Sequence, residues 1–141
     1  VKPSDGPKRN AGALAHEWIE VPDVPFAGKA PALPRDVEWQ AQTRRWWATV
    51  CAMPHCVLWT DAEWRVALET AYVADAFYAG RISAAGELRR REAALGMTLD
   101  SRRDLRIRYV APADLAPAVP AVTAADPRSR LRVVGGDDDA A

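Results

Sequence analysis

Hydrophobic and polar positions in the middle of the chain recur at helical spacing, broken by a few residues that mark helix ends. A first helix is predicted from about Ala41 to Ala52, because Met53 precedes Pro54 and proline drives its predecessor out of the helical region. Thr60 and Glu63 form a T-x-x-E capping box, so a second helix opens there and runs to about Ala79, where Gly80 supplies a left-handed closure. A third helix follows from Arg81 or Ser83 to Leu95 and stops in the same way at Gly96, and Thr98 caps a short fourth. Leu105, Ile107 and Tyr109 then alternate with Arg106 and Arg108, a period of two that fits a strand or a fraying helix equally.

The faces of these helices differ. On the second, Trp64, Leu68, Ala71, Tyr72, Asp75 and Tyr78 trace one side while Val66, Val73 and Phe77 trace another, so it needs neighbours on two sides. The third carries a thin seam, Ile82, Ala85, Leu88 and Leu95, with Arg89, Arg90 and Arg91 spread over the rest.

Proline sets the boundaries. Six prolines fall in residues 1–34 and four in 112–127, with Pro54 alone between them. The expected fold is all-α: a helical core at residues 37–110, an extended Pro-rich flank at 1–36 and a disordered Ala/Pro-rich tail at 111–141. Trp18, Ile19, Val21, Val24 and Phe26 give the first flank an apolar strip that can lie on the core or on a neighbouring subunit. At 141 residues the chain is one domain, and a core this short gains from association with copies of itself.

Composition excludes several function classes. Clustered glycines of a phosphate loop are missing, since the only adjacent pair is Gly135 and Gly136 near the end. His16 and His55 are the only imidazoles, and no serine lies near either in sequence, so no catalytic residue is assigned. Cys51, His55 and Cys56 sit together around Pro54, but the fourth ligand of a closed zinc site is lacking apart from the distant His16. They read as a buried thiol and a polar turn, and no metal or cofactor is expected. Five tryptophans, Trp39, Trp46, Trp47, Trp59 and Trp64, fall at helical or helix-flanking positions and read as core and interface packing rather than as base-stacking platforms. Two cysteines and no run of membrane-span length point to a reducing setting without membrane association.

Net charge is zero, yet unevenly distributed. Residues 81–110 hold eight arginines against four acidic groups, and the rest of the chain carries the compensating deficit. An arginine-only block suits phosphate, because the guanidinium fork donates paired hydrogen bonds and never loses its charge. Arg89, Arg90, Arg91, Arg102, Arg103, Arg106 and Arg108 are the expected contacts to double-stranded DNA, with Lys8, Arg9, Arg44 and Arg45 as the alternative. The competing reading is a solvated face with intrachain pairs such as Glu87 with Arg90 or Arg91.

The run from Glu92 through Leu-Gly-Met-Thr-Leu at residues 95–99 to Ser101, Arg102, Arg103 and Leu105 resembles the closing signature of bacteriophage terminase small subunits. Trp39, Thr43-Arg44, Trp46-Trp47, the Met53-Pro54 turn and Trp59-Thr60 before Trp64 are similar to actinobacterial phage and prophage members. Leu99 departs from the family's usual proline and Met97 from its leucine. The resemblance implies a non-catalytic ring in the cytoplasm of the bacterial host that engages phage DNA and recruits the large terminase subunit for genome packaging. It also implies a homo-oligomer built through the second and third helices, with Trp64, Leu68, Tyr72, Phe77, Ile82, Leu88 and Leu95 as the expected subunit contacts. It makes Arg130, Leu131, Val133 and Val134 a candidate docking peptide for that partner. The alternative is a small helix-turn-helix transcriptional regulator, disfavoured by the long connection between the first two helices. A purely structural phage assembly protein is a third reading.

Overall fold

The computed structural model describes residues 17–115. In chain order these form β1 (Ile19–Pro22), α1 (Ala41–Ala52), a 3-10 turn (Pro54–Leu58) and α2 (Asp61–Tyr78). After a further 3-10 turn (Ile82–Ala84) come α3 (Ala85–Ala94), α4 (Leu99–Asp104) and β2 (Ile107–Val110). The helix ends follow local chemistry. Thr60 and Glu63 make the reciprocal capping box of α2, Thr98 and Ser101 do the same for α4, and Gly80 and Gly96 close α2 and α3 at positive φ.

The expectation of a purely helical fold is corrected by a two-stranded parallel sheet, in which Ile19 pairs with Ile107 and Pro22 with Val110. The strand reading of the alternating segment prevails because Arg106 adopts φ 58°, which turns the chain sharply out of α4 into extended geometry. Val21, on the inward face of β1, is 1% exposed.

Residues 23–36 of the expected flank, with the residues leading into α1, form a wall of the core. Phe26, Ala30, Leu33 and Val37 pack against the buried cluster, and the Phe26 amide donates to the Ala52 carbonyl at 3.1 Å. Proline lacks an N–H but keeps its carbonyl, and buried indoles need acceptors. Trp39 Nε1 accordingly donates to the Pro34 carbonyl at 2.8 Å, and Trp47 Nε1 to that of Pro31 at 3.2 Å. The proline-rich stretch thus completes the tryptophan cluster.

α2 is the central strut. Ala67, Ala71 and Ala74 are fully buried along one face, and their small side chains admit α1 and α3 at close range. α1 lacks a side-chain cap of its own. Asp75 of α2 supplies it, accepting from the Gln40 amide at 2.8 Å and from the buried Thr43 hydroxyl at 2.6 Å. Glu92 of α3 accepts from Trp46 Nε1 at 2.9 Å, tying the third helix to the first.

Candidate nucleic-acid interface

The geometry of the arginine-bearing end of the molecule is set by His55. This side chain, 1% exposed, lies in the 3-10 turn after α1 and joins two distant segments. Its Nε2 is 2.7 Å from the Leu95 carbonyl, which can only accept, so Nε2 carries the proton. Nδ1 therefore accepts from the Tyr109 hydroxyl at 2.6 Å. Burial holds the imidazole pKa below its ordinary value, and nearby Arg102 adds to the lowering against the opposing pull of the Leu95 carbonyl. The ring is consequently neutral, and it fixes β2 against the end of α3.

Tyr109 in turn positions Arg102. The guanidinium carbon lies 4.9 Å from the Tyr109 ring centroid, and Nη1 donates to the Gly96 carbonyl at 3.1 Å. Beside this pair opens a cleft of about 310 Å³. Arg102, Arg103 and Arg108 line it, with Trp18, Leu99, Ile107 and Tyr109 between them. The fold thus brings three of the seven predicted DNA contacts from α4 and β2 into one cleft.

The remaining arginines are distributed differently. On α3, Glu87 accepts from Arg91 at 2.7 Å and from Arg90 at 3.0 Å, as the competing sequence reading expects, and these arginines hold its carboxyl below the usual range. Arg89 is exposed on the same helix. Arg103 lies 3.5 Å from Asp100, and Arg106 is exposed at the turn into β2. Arg108 pairs with Glu20 of β1, a counter-charge that the sequence places far from the arginine block. These pairs are solvent-accessible and therefore weak, and an arginine can serve a carboxylate and a phosphate at once.

The predicted subunit contacts divide as well. Trp64, Leu88 and Leu95 belong to the protomer's own core, and Leu68 and Phe77 pack against it. Tyr72 and Ile82 are exposed, and Trp64 and Leu68 also line an open groove of about 640 Å³ together with Ala30 and Pro31. The docking peptide at Arg130, Leu131, Val133 and Val134 lies outside the described residues, as do His16, Lys8 and Arg9.

The Cys51, His55, Cys56 group is used for packing. Both nitrogens of His55 are hydrogen-bonded within the protein, and the Cys56 thiol donates to the Val50 carbonyl at 3.2 Å. Burial pushes the Cys56 pKa up to about 12, with Cys51 contributing.

Sequence reasoning missed three parts of the site. His55 reads as a turn residue because its partners Leu95 and Tyr109 are 40 and 54 positions away. Glu20 and Trp18 reach the arginines only through the β1–β2 pairing. The available signal was the alternation of Ile19, Glu20 and Val21, which matches the period of the segment it joins.

Among the described residues no helix is long and apolar enough to cross a membrane. No curated protein and no solved structure matches the chain significantly. A family model described as phage terminase small subunit matches residues 2–132, which takes in the cleft, the helical core, nearly all of the first flank and the second flank as far as residue 132. On that match the chain belongs to the phage terminase small subunit family.

Proposed function

We propose that the chain acts in viral genome packaging as a non-catalytic oligomer, which engages double-stranded phage DNA and recruits the large terminase subunit in the host cytoplasm. The observation that carries the DNA contact is the convergence of Arg102, Arg103 and Arg108 on one cleft, with Arg106 at its edge of the fold. Repeated around a ring, such a patch becomes a strong sequence-independent field. The exposed Tyr72 and Ile82, with the groove beside Trp64 and Leu68, are the surfaces available to a second copy. Large-subunit docking is assigned to Arg130, Leu131, Val133 and Val134. The regulator reading is disfavoured because eight residues, including a 3-10 turn, separate α1 from α2.

Two measurements test the proposal on the full chain. Sedimentation should give a mass several times the 15.4 kDa protomer, and a monomer at micromolar concentration overturns the ring. Duplex binding should weaken steeply with salt, and Arg103→Ala should lower the log–log salt slope by about 1. An unchanged slope removes Arg103 from the contact.

A further inference from the structure

Of the six tryptophans, Trp39, Trp46, Trp47 and Trp64 are buried and Trp59 is partly buried. Trp18 alone is exposed, at 42%, and it stands in the arginine-lined cleft. Leu99 beside it is 69% exposed. A surface that met only phosphate oxygens would gain nothing from keeping an indole and a leucine in water. In a duplex the π-faces of bases are covered by their neighbours, whereas in a single strand they are free to stack on aromatic side chains while arginines follow the backbone.

We infer that this cleft binds an unpaired nucleotide of a DNA end or single-stranded stretch, with its base against Trp18 and its phosphates on Arg103 and Arg108. Tyr109 is less available for stacking, because the Arg102 guanidinium already lies over its ring. The cleft volume, about 310 Å³, is at the small end of ligand-sized sites and admits one nucleotide, while the exposed Arg103 and Arg108 that line it stay open to the phosphates of an adjoining duplex. The exposed ion pairs at Arg103 and Arg108 leave both guanidinium groups open to a phosphate. The assignment rests on the DNA-binding reading above and adds a strand state to it.

The test compares three labelled probes on the full chain by fluorescence anisotropy: oligo-dT of about 12 nucleotides, a blunt duplex, and that duplex carrying a single-stranded dT extension of the same length. The extended duplex should bind more tightly than the blunt one and should quench tryptophan emission. Trp18→Ala should weaken binding of the oligo-dT and extended probes by about fivefold or more, abolish most of the quenching and lower blunt-duplex affinity by less, so that the preference for the extended probe is lost. Trp18→Phe should retain most of the affinity. Thermal melting of both variants should match the parent, since Trp18 lies outside the buried core.

Equal binding of blunt and extended duplexes, or an extension preference that survives Trp18→Ala, overturns the inference while the duplex reading stands. Failure of all three probes overturns both. A fall in sedimenting mass on Trp18→Ala, with DNA affinities unchanged, makes the cleft a subunit contact and also overturns it.

Discussion

An ideal β-carbon built on Gly96 would stand 2.9 Å from His55 Nε2, and the backbone there has φ +72°. Two separate constraints therefore fall on one glycine, a left-handed conformation and a close approach to a fully buried imidazole. Gly80 carries only the first, because at φ +102° nothing lies within 4 Å of its β-carbon position. Gly80→Ala should cost about 1–2 kcal/mol from backbone geometry alone. Gly96→Ala should cost more, about 2–4 kcal/mol, since His55 must move and its bond to the adjacent Leu95 carbonyl is disturbed. Urea denaturation of the two variants checks the order, and equal losses would remove His55 from the explanation.

The neutral state of His55 predicts a pH dependence. Its folded pKa is lowered, chiefly by burial, so below about pH 6.5 the unfolded chain takes up a proton that the folded chain resists. This contribution to stability is fully present above that pH. It declines as pH falls toward the folded value, with a slope of up to about 1.4 kcal/mol per pH unit. Denaturation midpoints across this range should fall with pH, and they should do so less in His55→Gln. Tyr109→Phe, which removes the donor to Nδ1, should cost about 1–2 kcal/mol even at neutral pH.

Asp75 stabilises α1 from outside that helix. Thr43→Val keeps shape but deletes the hydroxyl that donates to Asp75, leaving the carboxylate with the Gln40 amide. A loss of about 1–2 kcal/mol is expected, because a partly buried carboxylate loses a hydrogen-bond donor. Asp75→Ala should be at least as damaging and should fray the start of α1, readable as faster amide exchange at residues 41–44. Unaltered exchange there would mean that the cap is unimportant.

Arg106 separates folding from binding. A non-glycine residue at φ 58° is strained, so Arg106→Gly should raise stability by up to about 1 kcal/mol while removing a positive charge from the turn beside β2. Arg106→Ala keeps the backbone strain and should give no such gain. If both variants weaken duplex binding equally, with a reduced salt slope, the guanidinium acts through charge. If binding follows stability instead, Arg106 contributes only through the fold.

The elements readable in sequence are those whose instructions are local. Thr60 with Glu63 and the glycines at 80 and 96 act within a few residues of themselves, and α1, α2 and α4 begin and end close to where those signals put them. Asp75 among apolar neighbours on α2 was a visible anomaly, but its partners Thr43 and Gln40 could not be read from helical spacing. The sheet was hidden for the same reason, as its two short strands meet across 88 positions. Burial of Trp64, Leu88 and Leu95 within the protomer was equally illegible, because periodicity finds an apolar face without saying whether a flank or a second copy covers it. The arginine block was visible, whereas its division between α3 and the α4–β2 cleft required the turn at Arg106.

The parallel pairing of β1 with β2 also orders events during synthesis. Ile19 and Val21 leave the ribosome long before their partners, Ile107 and Tyr109, have been made. At ordinary elongation rates the delay is roughly 4–18 s. Through that interval the nascent β1 segment has no native strand beside it. Joining of the ribbon is then a late step, and a chain interrupted before Val110 would keep a sticky, unmated leading segment for chaperones or proteases to find.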